Sequence, residues 1–83
     1  MEKKLVGSVR HYFNKVGVAV IELSSELRVG DRIALEGGNS FEQTVDSMQI
    51  EHKSIPVATK GQSIGLKVVN PVREGYQVYK ILE

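Results

Sequence analysis

The chain has 83 residues, of which 41% are hydrophobic and 25% charged, the composition of a soluble globular domain rather than of a disordered or fibrous segment. Eleven lysines and arginines against ten carboxylates leave a formal charge of +1, which excludes a global field that would draw the chain onto nucleic acid or an acidic membrane. The absence of cysteine excludes a disulfide framework, a thiolate zinc site and a cysteine nucleophile.

A single domain is expected over residues 1–83. A domain of this size buries about 60–65% of its unfolded surface, so one tight core is expected. No apolar run approaches the roughly 18 residues of a membrane-spanning helix, and Met1-Glu2-Lys3-Lys4 is followed by only Leu5-Val6 before polar residues resume. A cytoplasmic address is the simplest expectation.

The apolar period along the chain is two, interrupted by turn residues every eight to twelve positions, the pattern of a β-sandwich or barrel. Leu5 to Phe13 reads as the first strand, with Asn14-Lys15 and Gly17 supplying a turn. Val16, Val18 and Val20 alternate with Gly17, Ala19 and Ile21 in a second strand whose outer face is small or apolar too, as in a strand that is either central or covered on both sides. Ser24-Ser25-Glu26 ends it. Leu27-Arg28-Val29-Gly30-Asp31 then turns into a short third strand, Arg32 to Glu36, with Ile33 and Leu35 inward and Gly30 at positive φ.

After Gly37-Gly38-Asn39-Ser40, Phe41 to Glu51 reads as the longest strand. Its apolar parity changes between Val45 and Met48, which predicts a β-bulge near Asp46-Ser47. Lys53 to Gln62, with Pro56 and Gly61, is a connection rather than a central strand. Ile64, Leu66 and Val68 alternate in a fifth strand, Asn70-Pro71 and Glu74-Gly75 bracket a turn, and Gln77 to Leu82 forms the last strand. Six strands without a helix predict an all-β fold, a closed six-stranded translation-protein-type barrel with Greek-key-like connections, since closure leaves no exposed edge.

Chemistry finds few anchors. There is no Gly-x-x-x-x-Gly-Lys-Ser/Thr loop for phosphates and no Gly-x-Ser-x-Gly elbow for a nucleophilic serine. His11 and His52 lack metal-ligand spacing, so no metal and no cofactor are expected, and no enzymatic activity. Arg10-His11-Tyr12-Phe13-Asn14-Lys15 mixes cations with aromatics and reads in two ways. It is either a surface that stacks a base and grips a phosphate through Arg10, Tyr12 and Lys15, or a strand end whose Tyr12 or Phe13 closes the core while its charges are solvated. Lys53, Lys60, Lys67, Arg73 and Lys80 form a second basic surface or serve only solubility.

The Leu27-x-Val29-Gly30-Asp31-x-Ile33 turn, the segment from Val45-x-Ser47-Met48-Gln49 to Gly61-x-x-Ile64-Gly65-Leu66, and the closing Glu74-Gly75-Tyr76-Gln77-Val78-Tyr79-Lys80 resemble, in that order, the second domain of elongation factor Tu-like translation factors. The resemblance covers Leu5 to Ile81. A similar barrel is the C-terminal domain of a collagenase-like peptidase family that includes RNA-modification enzymes, and the sequence is compatible with either lineage. The first resemblance implies a surface that helps hold the 3′ end of tRNA. Gln49 falls where that pattern has a glutamate near the terminal adenosine, and His52 and Lys53 where it has basic residues. Asn14-Lys15 is similar to a guanine-reading pair, but Gly17 stands where the base-binding aspartate belongs.

Two functions are therefore expected of the chain. One is a noncatalytic barrel that binds tRNA, rRNA or a ribonucleoprotein surface through Gln49, His52, Lys53, Arg10, Tyr12, Lys15 and Arg73. The other is a protein-interaction module that docks on a separate GTPase or RNA-modification enzyme. No membrane partner is expected, and a monomer is favoured.

Overall fold

A computed structural model describes residues 2–82. Ten strands follow one another among the described residues: β1 Glu2–Phe13, β2 Val18–Leu23, β3 Leu27–Arg28, β4 Arg32–Glu36, β5 Phe41–Thr44, β6 Met48–Ile50, β7 Lys53–Ile55, β8 Val57–Ala58, β9 Ser63–Lys67 and β10 Gln77–Leu82. The period-two pattern sets which way each strand faces. Ala19 and Ile21 on β2, Ile64 and Leu66 on β9, Ile33 and Leu35 on β4, and Val78 on β10 are all buried, joined from the connections by Val45 and Val72. Each fully buried aliphatic side chain of this kind contributes about 1.5–3 kcal/mol of transfer free energy.

The strands do not close into a six-stranded barrel. Eight of them form one antiparallel sheet in the order β5-β4-β10-β1-β2-β9-β6-β7, and β3 with β8 makes a separate two-stranded pair. The physical reason lies in the segment expected to be one long strand. Instead of bulging at Asp46-Ser47 it leaves the ladder from Val45 to Ser47. Its first half, β5, pairs with β4, and its second half, β6, pairs with β9.

Two parts of one segment thus lie near opposite ends of the sheet, with Thr44 and Met48 at most roughly 14 Å apart along the chain. The sheet must curl around its core. Val45 is fully buried at the bend, and the Gly30-Asp31 turn holds it. The Gly30 N–H donates to the Val45 carbonyl at 2.8 Å, and the Val45 N–H donates to the Asp31 carbonyl at 2.8 Å. Gly30 takes φ +99°, as expected for a residue without Cβ.

Between the two sides no ladder forms, and Gln43 on β5 spans the gap. Its Nε2 donates to the Lys67 carbonyl at 2.9 Å, and its Oε1 accepts from the Val69 N–H at 2.9 Å. The connection before β10 is held by Tyr76, whose hydroxyl accepts a hydrogen bond from the Asn39 N–H at 2.8 Å. The Tyr76 ring lies flat against Gly37, where a Cβ would stand 2.4 Å from a ring carbon.

Lys53 to Gln62, expected as a connection, contributes two short strands. Both obey the constraint set by Pro56, which lies between them: β7 is an edge of the large sheet and β8 belongs to the small pair. Among the described residues no helix is long and apolar enough to cross a membrane.

Candidate functional site

The outer face of β2, β9 and β6 carries a concave surface. Strand register places side chains across it in rows. His11 on β1 pairs with Val20 on β2, Val20 with Gly65 on β9, and Gly65 with Gln49 on β6. A neighbouring row runs from Phe13 through Val18 to Lys67. Gly65 has no side chain, so the middle of the first row is a floor. Phe13, Val16, Val18 and Val20 form an apolar wall on one side, and Gln49, Glu51, His52 and Ser63 a polar wall on the other.

The second strand is central in its sheet, between β1 and β9, and its outward valines form the apolar wall rather than a covered face. They are only half-buried. Phe13 is 49% and Val16 60% exposed, and Val16 belongs to the turn before β2 rather than to the strand itself. The Phe13 ring meets His11 edge-on with centroids 4.4 Å apart. Tyr12 turns inward and packs on the core, so this segment divides between the two readings of its aromatics: Tyr12 serves the interior and Phe13 the surface.

Charge is distributed unevenly along the chain. From Ser47 to Arg73 the sequence has four lysine or arginine residues against one carboxylate, Glu51, whereas Glu22 to Asp46 has six carboxylates against two arginines. Among the described residues, ion pairs join Lys3 to Glu36, Arg10 to Glu22, Arg28 to Glu26, Arg32 to Glu42 and Lys80 to Asp31. Lys15, Lys53, Lys60 and Lys67 join none of them. Lys15 precedes Val16 on the apolar wall, Lys67 shares the row of Phe13, Lys53 follows His52 and Lys60 lies in the turn before Ser63. Lys3 and Arg28 are held above their ordinary ranges by hydrogen bonds to the Glu36 and Glu26 carboxylates, and neither pair lines the groove.

Of the residues proposed from sequence, Gln49 and His52 are brought together in the groove, with Lys15 beside Val16 on its margin, while Lys53 pairs with Ile50 and so shares the face opposite Gln49. Arg10 is engaged by Glu22 at 3.7 Å. Tyr12 and Arg73 sit elsewhere, in a shallow cleft with His11 and Glu74. Sequence reasoning passed over Glu51, Gly65 and the outward valines as site residues. The signal was the second strand's apolar outer face, opposite a strand that carries a glycine. No group of three His, Asp or Glu side chains fit to hold a metal ion occurs among the described residues.

No family model matches the sequence. The chain is similar to an uncharacterized protease of Methanocaldococcus jannaschii, 42% identical over 80 residues, a match that covers 94% of this chain and 20% of that protein. It is also similar to a collagenase of Porphyromonas gingivalis, 35% identical over 82 residues, covering 95% of this chain and 23% of the collagenase. The chain thus spans about a fifth of the length of the curated relatives it matches.

Its fold is that of the C-terminal domain of a Geobacillus thermoleovorans protein described as a U32 peptidase. One structure of that domain superposes with a TM-score of 0.89 at 22% identity over 95% of this chain, and its selenomethionine variant with 0.86 over 90%. Of the two lineages compatible with the sequence, these relatives support the collagenase-like one.

Proposed function

We propose that the chain is a noncatalytic accessory module of the collagenase-like, U32-peptidase type, and that it binds single-stranded RNA in the groove above Gly65. The observation that carries the reading is the company kept there. An exposed aromatic ring and an apolar wall face an amide and an imidazole across a floor without side chain, and Lys15 and Lys67, which join no ion pair among the described residues, border it. Stacking surfaces combined with unpaired cations are the chemistry of single-strand binding, in which bases lie on aromatic or apolar side chains and lysines meet phosphates. Gln49 both donates and accepts, as a base edge or a 2′-hydroxyl requires. The likeness to the second domain of elongation factor Tu belongs to this reading, since Gln49 and His52 share one wall of the groove.

The accessory role rests on size and on relatives. Matching a fifth of a protease or collagenase leaves the chemistry of those proteins to the remainder of their chains.

Photo-crosslinking with an unstructured oligoribonucleotide carrying 4-thiouridine tests the reading. Adducts are expected at Phe13, Val16, Val18 and Val20 and within residues 49–65. Adducts confined to the Tyr12–Arg73 cleft, or none, would reject the groove as the RNA site. An apolar partner protein retained after nuclease treatment, with no adduct, would favour docking on a separate enzyme instead.

A further inference from the structure

Two adjacent residues in the groove wall hold a conformation the rest of the chain reserves for glycine. Glu51 has φ +51° and His52 φ +65°, whereas the other positive-φ positions among the described residues are all glycines. These two form the two-residue loop of the β6–β7 hairpin, closed by the Ile50–Lys53 pair. A loop with positive φ at both positions favours Asn-Gly or Asp-Gly, because a Cβ crowds the backbone there. Glutamate and histidine give the fold nothing that Asn-Gly would not give better. Strain retained at a ligand-facing position points to a role for the side chains themselves.

Glu51 is also the one carboxylate between Ser47 and Arg73, and it joins no ion pair among the described residues although Lys53 is two positions away. Its neighbours in the groove are Gln49, His52 and the apolar wall. A free carboxylate beside a stacking surface, in a basic surround, repels phosphate but accepts from a base. Guanine alone among the four RNA bases presents two adjacent donors, N1–H and N2–H2, on one edge, which match the two oxygens of a carboxylate.

We propose that the Glu51–His52 turn is the specificity element of the groove and selects guanine from the single-stranded RNA. Glu51 accepts both guanine donors, the base stacks toward Phe13, and the lysines on the margin hold the flanking phosphates. This rests on the RNA reading above and extends it to a base.

The test compares two uridine decamers, one with a single central guanosine and one with inosine in its place, which lacks only the N2 amino group. Because losing a hydrogen bond to a charged group removes about 1.5–3 kcal/mol, the guanosine decamer is expected to bind at least about tenfold more tightly. Glu51→Gln should bring the two affinities together while leaving the salt dependence of binding in place. The double variant Glu51→Asn, His52→Gly should melt roughly 4 °C or more higher, through relief of the turn, and should also lose the preference. Equal binding of both decamers by the wild type overturns the guanine assignment and leaves RNA binding standing. A lower melting temperature of the double variant overturns the argument from strain. Binding of neither decamer rejects the RNA reading, and the inference falls with it.

Discussion

The side-chain amide of Gln43 on β5 donates to the backbone carbonyl of Lys67 at the end of β9, 2.9 Å away, and its carbonyl accepts from Val69 two residues on. One buried side chain thus replaces the ladder that the two sides of the curled sheet do not form. Its geometry copies a strand residue, presenting one donor and one acceptor to a backbone. The loss of either contact removes a part-buried hydrogen bond of the seam.

Gln43→Leu is therefore expected to lower stability by about 1–3 kcal/mol, since it removes the side-chain partner of both the Lys67 carbonyl and the Val69 N–H. Urea denaturation measures this. Gln43→Glu separates the two contacts. An ionised carboxylate still accepts from Val69 but opposes the Lys67 carbonyl, whereas a protonated one donates to it. The glutamate is favoured in its neutral form in the folded state, so its folded pKa is raised and the variant should gain stability relative to wild type as pH falls.

Tyr76 distinguishes two neighbouring glycines. A Cβ on Gly37 would lie 2.4–2.7 Å from three atoms of the Tyr76 ring, while one on Gly38 would meet only the hydroxyl oxygen at 3.8 Å. Gly37→Ala should cost about 1–3 kcal/mol through overpacking, and Gly38→Ala should stay within about 0.5 kcal/mol of wild type. Thermal melts of both variants make the comparison.

At the groove floor stability and binding separate. A Cβ on Gly65 would stand 3.3 Å from the Val18 Cγ1, and Val18 is half-buried with room to move outward. Gly65→Ala should change stability by less than about 1 kcal/mol while weakening RNA binding by filling the floor. Equal loss of folding and of binding would contradict this.

Lys3 gives the molecule an alkaline titration. The Glu36 hydrogen bond raises its pKa in the folded state, so the stabilisation from this pair is complete at neutral pH. It fades as pH climbs past the ordinary lysine value of about 10.4 and through the folded one. Lys3→Met should remove that dependence, and melting temperatures measured across pH 9–11 test it.

Much of the architecture was legible because alternation is local. Ile33, Leu35, Ile64 and Leu66 declare their inward face from their own spacing, and the Gly30 turn declares itself by a residue that tolerates positive φ. Closure was not legible. Whether the segment after Phe41 continues as one bulged strand or breaks at Val45 depends on the Gly30 and Asp31 backbone groups that grip it. Those contacts cross fourteen or more positions of sequence. Gln43 looked like any outward polar residue until the distant Lys67 and Val69 stood opposite it.

In the candidate site, Gln49 and His52 were found through family resemblance, but their partner Glu51 was not. Its distinguishing property is a backbone angle, which spacing does not encode. Arg73 and Tyr12 were grouped with the others by composition alone, and the fold separates them.

The central claim is that an unstructured RNA strand lies over Gly65 with its phosphates on the lysines of the margin. Fluorescence anisotropy of an unstructured oligoribonucleotide, titrated from about 50 to 200 mM salt, tests it most directly. The account predicts measurable association at low salt that weakens steeply with added salt, with a shallower slope when Lys15 and Lys67 are both changed to Gln. No association at about 50 mM salt, where phosphate contacts are strongest, would contradict it.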